Sequence, residues 1–287
     1  MEVYYGTIGC MKEGCSNKAY WRVKSKYYCG VHSRNKDREQ LQKLSAKRRR
    51  AQLEEKYETL EKQVERARCD DPEVILCKMG MFKAVEDHPG FKKSFPNHKH
   101  GSRRDGLGLS ELSPMNLGPV EHGSPNLPDS VNLENWWQFS KAYSWELDKN
   151  GNPSKKFYKT LKSGFLDPEG HRHKFERGDK PEYYVWIDSD GEEHHLDYIT
   201  SRQFYCIFYE RLAKRTKEFK KLKRLRDKGY NLQICGHDAY PMKPTKKSIE
   251  RAYLDPERPF GHERVLFTML ILEKSDYPWR IHKSFDF

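Results

Sequence analysis

The chain has 287 residues, 36% of them hydrophobic and 13% aromatic, which suits one sizeable domain plus a small appendage and excludes a largely disordered polypeptide. Its formal net charge of +12 favours polyanionic partners, meaning nucleic acid or phosphorylated small molecules. No run of eighteen apolar residues marks a membrane span, MEVYYGTIGC lacks the apolar core of a secretory signal, and an odd number of cysteines, seven, points to reduced thiols and metal ligation in a cytoplasmic setting.

Residues 1–35 carry the spacing C-x4-C-x13-C-x2-H, formed by Cys10, Cys15, Cys29 and His32. Two close ligand pairs separated by a short loop supply the tetrahedron that zinc prefers, and four protein ligands leave no open position, so the expected zinc is structural. AYWRV and KYYC read as two strands of a hairpin, and Gly14 permits the turn between the first two cysteines. So small a segment cannot close a core alone and draws stability from a metal. Arg22, Lys24, Lys26 and Arg34, with Tyr20, Trp21 and Tyr27, are suited either to a nucleic-acid backbone and its bases or, for the aromatics, to packing on the main domain.

Residues 36–68 hold no Gly or Pro, and the sequence predicts a long basic helix there. Residues 33–68 contain twelve Lys and Arg against seven Asp and Glu, including the run Lys47–Arg50, while Leu53, Tyr57, Leu60 and Val64 form a narrow apolar stripe. Residues 69–105 hold a short apolar run, Val74–Leu76, then the stretch FKKSFPNHKHGSRRD, and read as a linker or mobile loop in which His98 and His100 are either metal ligands or, more in keeping with the composition, solvated. Residues 106–287 form the main domain. Helices are predicted around 132–143, 155–163, 200–214, 217–228 and 261–271, with a hairpin turning at Asp190-Gly191. The fold class is therefore α+β: a zinc module resembling a treble clef, a basic helix, and a mainly helical domain with a hairpin insert.

In NLENWWQFSKAY, a helix would place Glu134, Trp137, Gln138 and Lys141 on one face, at i, i+3, i+4 and i+7. A carboxylate, an amide and an ammonium beside an indole suit a pocket for a sugar, a base and a phosphate. They also suit a surface chain of polar contacts over a tryptophan core. A strand ending in Gly236-His237-Asp238 puts an imidazole and an acid at a cleft edge. Gly261, His262 and Glu263 then open an apolar helix, as anion site or as cap.

The pattern E-x-x-aromatic-Q-x-x-K resembles the signature helix of the NADAR superfamily. LSPMNLGP resembles the loop leading into that helix, and GHERVLFTML its closing turn and helix. The likeness covers about residues 108–272, with Ala239-Tyr240-Pro241 where the family has Trp-Gly and a long insert at 144–197. It implies hydrolysis of an N-glycosidic bond to a ribose phosphate, ADP-ribose on a base included. Glu134 would stabilise the ribosyl cation, and Asp238 or His237 would serve the leaving group. Trp137, Gln138, Lys141, Arg202, Tyr205 and His262 would bind substrate, with Lys141 and Arg202 on phosphate. A zinc module joined to such a domain also resembles proteins of large DNA viruses, which implies the host cytoplasm or a viral factory. Two other readings compete: a nucleic-acid or cap-binding protein using Trp136, Trp137 and Trp186 as stacking platforms, and a structural protein of a viral particle.

Overall fold

The structure, a computed structural model, describes residues 2–4, 6–23, 26–31, 35–80, 85–173 and 179–283. The chain divides into two units, Met1–Lys62 and Gln63–Phe287.

In the first unit β1 (Glu2–Val3), β2 (Trp21–Val23) and β3 (Lys26–Tyr28) form an antiparallel sheet in that order, with Trp21 opposite Tyr28. Gly14, at φ +76°, supplies the left-handed turn that brings Cys15 N–H onto the Lys12 carbonyl. Helix α1 (Asn35–Arg66) follows, uninterrupted as its lack of Gly and Pro dictates. Along its apolar stripe Leu53 stays exposed and Val64, already in the second unit, is buried.

The second unit is built on a parallel sheet. Its strands are β4 (Val74–Lys78), β5 (Phe91–Phe95), β6 (Leu107–Gly108) and, much later in the chain, β10 (Asn231–Gly236), in the order β4-β10-β5-β6. Between them come α2 (Leu133–Phe139), β7 (Lys141–Ala142), α3 (Lys155–Leu166), β8 (Tyr183–Ile187), β9 (Glu193–Leu196), α4 (Tyr198–Ala213) and α5 (Lys217–Asp227). After β10 come α6 (Lys246–Leu254), α7 (His262–Ile271) and α8 (Pro278–Ile281). A second, antiparallel sheet runs β7-β8-β9, and Gly191, at φ +87°, turns its hairpin. No helix among the described residues is long and apolar enough to cross a membrane.

The stretch expected to be a linker is therefore structural. It supplies β4 and β5, which flank β10, and Phe95 is fully buried. The domain is accordingly less helical than expected. Helix α4 is buried on almost every side, and Phe204 and Phe208 meet Trp136 of α2 at ring-centroid distances of 6.4 and 4.8 Å. That packing places Trp136 in the core, 3% exposed, and withdraws it as a stacking platform. Helix α7 lies on β4, β10 and α4 through Val265, Leu266 and Phe267, all fully buried. Glu210, buried in α4, accepts hydrogen bonds from Trp279 Nε1, Arg280 and Lys214, which ties α8 to the centre of the unit.

Candidate functional site

Because every strand of the first sheet runs the same way, β5 and β10 end at one edge, where ligand clefts of parallel sheets form. A cavity of about 300 Å³ opens there. Asn97 and His98 reach it from beyond β5, His237 and Asp238 from beyond β10, and Gly261, His262 and Glu263 from the start of α7. Helix α2 forms another wall with Glu134, Trp137 and Gln138, and α4 contributes Tyr198, Arg202 and Tyr205. Arg172 also lines the cavity.

Helix α2 is fixed by its ends. Asn132 Oδ1 caps it by accepting from Asn135 N–H at 2.8 Å, and Glu134 N–H donates to the Pro114 carbonyl at 3.0 Å. The Asn135 side chain bonds the carbonyls of Asp167 and Glu169 and the His171 N–H, so the helix cannot rotate about its axis without breaking all three. It stops at Phe139, where the Ser140 hydroxyl donates to the Trp136 carbonyl. Lys141 thus stands on β7, paired with Tyr184, and not on the helix where the spacing placed it.

Lys141 still meets the same side chains. Its Nζ donates to Gln138 Oε1 at 2.9 Å, and Gln138 Nε2 donates to Glu134 Oε1 at 2.9 Å. An ammonium can only donate, so the amide oxygen must face it and the amide N–H₂ must face the carboxylate. Gln138 is 8% exposed and Lys141 stands behind it, off the cavity surface. Burial lowers the Lys141 pKa to about 8, against a smaller raising effect of Glu134 and a further lowering by Arg172. Lys141 therefore orients the amide and is not among the residues that line the cavity, where its expected role on phosphate would place it.

Arg202 lies on the cavity wall with most of its guanidinium committed to backbone. Its guanidinium donates to the carbonyls of Tyr253, Asp255 and Arg258, the last two at 3.0 Å, and the residue is 2% exposed. It braces the segment 253–258. The exposed cation on the cavity wall is Arg172, which makes no ion pair among the described residues.

Tyr205 is buried beside Glu134 and Glu263. Burial first, then those carboxylates and Tyr209, hold its pKa well above that of a free phenol, so it remains a hydrogen-bond donor at neutral pH. Trp137 packs on Tyr184 and Tyr205 at 4.9 and 5.1 Å and keeps part of its ring on the cavity.

Glu263 was not singled out by the sequence as a site residue, because the second residue of an apolar helix reads as a cap. It is 1% exposed, and its carboxylate rests against backbone that only glycine permits: a Cβ on Gly236 would meet Glu263 Oε1 at 1.8 Å. Gly261 lies between two acids, since a Cβ there would sit 3.2 Å from Glu263 Oε2 and 3.5 Å from Asp238 Oδ2. His262 Nε2 lies 2.9 Å from the Pro96 carbonyl, which can only accept, so that nitrogen carries a proton. Its Nδ1 lies 3.3 Å from Glu263 Oε2.

No protein-family model, curated protein or solved structure matches the chain. What the cavity does must follow from its side chains. Three carboxylates, Glu134, Asp238 and Glu263, share it with two phenols, an indole, two arginines and three imidazoles. That set can stabilise a cation, move protons and hold an anion.

The first unit holds a second cluster. The sulfurs of Cys10, Cys15 and Cys29 lie within 4.8 Å of one another, close enough to share one metal ion, with Cys10 and Cys29 buried. The hydrogen bonds Cys10 N–H to Asn17 O and Met11 N–H to Tyr27 O fold the cysteine turn onto the hairpin. His32, the expected fourth ligand, lies outside the described residues, as do Lys24 and Arg34.

Proposed function

We propose that the cavity hydrolyses the N-glycosidic bond between a base and a ribose phosphate, with ADP-ribose on a base as one form of substrate. The observation that carries this reading is the placement of Glu134 and Asp238 in one cavity of nucleotide-compatible size with Trp137, Tyr205 and Arg172. The resemblance to the NADAR superfamily points the same way.

In this reading Glu134 faces C1′. Loss of the base leaves positive charge there, and a carboxylate held by the Gln138 amide stabilises it. Water adds to C1′ as the C1′–N bond breaks. Glu134 takes the proton of that water, and Asp238 or His237 supplies a proton to the departing nitrogen. Trp137 stacks on the base or sugar. Arg172 and the first N–H groups of α7, whose N-cap Gly261 offers no side chain, receive the phosphate.

The metal in the first unit is proposed to be structural zinc with His32 as fourth ligand. Zn–S bonds of about 2.3 Å in a tetrahedron separate sulfurs by about 3.8 Å. Cys15 and Cys29 Sγ lie 3.7 Å apart.

The test is to incubate the protein with nucleoside 5′-phosphates, ADP-ribose, and mono- and oligonucleotides ADP-ribosylated on the base, and to separate free base, ribose phosphate and ADP-ribose by chromatography. Release of one such product supports the reading. Absence of release across the panel removes it.

A further inference from the structure

A second cavity, of about 500 Å³, lies beside the first and is lined by Lys243, Lys247, Arg251, Arg258 and Arg264 with one carboxylate, Asp255. Lys243, Lys247, Arg251 and Arg258 are exposed and make no ion pair among the described residues. By contrast Lys214 and Arg280 meet the carboxylate of Glu210. Arg264 is 3% exposed and donates to the carbonyls of Pro259 and Tyr240, with its Nε unpartnered among the described residues. Burial and the neighbouring cations Arg202 and Arg258 lower its pKa against the opposing effect of Asp255, so positive charge is crowded here around a single carboxylate. The N-terminus of α6, whose Thr245 and Ser248 also line the cavity, adds its positive end. Next to it Lys78 and Arg264 face the Tyr240 ring at 3.8 and 5.4 Å.

Two chain segments wall both cavities. Asp238 lines the first and Lys243 the second, five residues apart and so at most about 18 Å. The segment braced by Arg202 places Pro259 and Phe260 on the first cavity and Asp255 and Arg258 on the second.

We propose that this basic cavity binds the phosphodiester backbone of a single-stranded nucleic acid whose modified nucleotide occupies the neighbouring cavity. Occupation of the first cavity by the modified nucleotide rests on the glycosidase reading; binding of the backbone does not. Lysines and arginines without acidic partners fit phosphates, and a base must leave its stack to enter a cavity of about 300 Å³, which favours a single strand.

The test is fluorescence anisotropy with an unmodified single-stranded decanucleotide, run on the full chain over a salt series. Lys247→Glu/Arg251→Glu should weaken binding at least about tenfold and reduce the slope of log K against log salt by about 1.4, as two lost single-strand phosphate contacts require. Charge reversal at Lys47–Arg50 is the control for the first unit. In a second arm, the preference in kcat/KM for an oligonucleotide over a mononucleotide substrate should fall about tenfold. If the double variant binds like wild type, if only the Lys47–Arg50 variant loses binding, or if the wild type binds anionic vesicles and not the decanucleotide, the proposal is overturned. Failure of both substrates to react would remove the glycosidase reading and leave the binding result standing.

Discussion

Lys141 Nζ and Gln138 Oε1 are 2.9 Å apart, and this bond decides which way the Gln138 amide faces Glu134. Replacing Lys141 with Met removes one of the two groups that set the orientation and leaves the amide oxygen without its donor. The Gln138 side chain is then free to turn toward another donor and away from the carboxylate. Lys141→Met should lower kcat about 10–100-fold with a folded protein, because misplacement of a catalytic group costs that much. An effect confined to KM would return Lys141 to the phosphate role.

The same lysine sets a pH dependence. Its pKa is about 8 in the folded protein against an ordinary value of 10.5. The folded chain thus releases this proton first and binds fewer protons than the unfolded chain between those values. Stability relative to Lys141→Met should therefore rise with pH from about 8 to about 10.5, measured by urea unfolding. Activity should move the other way, falling above about pH 8 as the ammonium is lost. A pH–rate profile flat to pH 10 would contradict this.

Gly236 leaves room for the Glu263 carboxylate, and a Cβ at that position would stand 1.8 Å from Oε1. It would also crowd Glu263 Cδ and Cγ, the latter at 2.5 Å, so the whole buried side chain must move from its place. Gly236→Ala should cost about 1–3 kcal/mol of stability and lower kcat/KM at least about tenfold. Full activity would show that Glu263 is merely a cap.

Much of this site was legible because helix periodicity and strand patterns are local. Glu134, Trp137 and Gln138 follow from spacing alone, and all three line the cavity with Asp238, His237, Tyr205 and His262. Three features were not legible. Lys141 left the helix because Ser140 ends it and Tyr184 pairs with the next residue, a partner 43 positions away. Arg202 is occupied by carbonyls more than fifty residues distant, which no pattern shows. The strands β4, VILCK, and β5, FKKSF, are short, the second carries two lysines, and each pairs with β10, more than 130 residues later in the chain.

The metal site gives a separate test. Purified protein should carry about one zinc per chain by elemental analysis, and Cys29→Ala should lose it. Chelation should unfold the first unit, read as increased proteolysis before residue 62, and leave the second unit folded. Metal-free protein with a protease-resistant first unit would contradict the assignment.

The central claim is that Glu134 stabilises a ribosyl cation, and its most direct test is single-turnover release of free base from the best substrate of the panel by wild type and Glu134→Gln. The variant should keep its fold and its substrate affinity and lose about 10²–10⁴ in the rate of base release, since the interaction it lacks is made mainly in the transition state. Equal rates for the two proteins, or no release by either, would contradict the account.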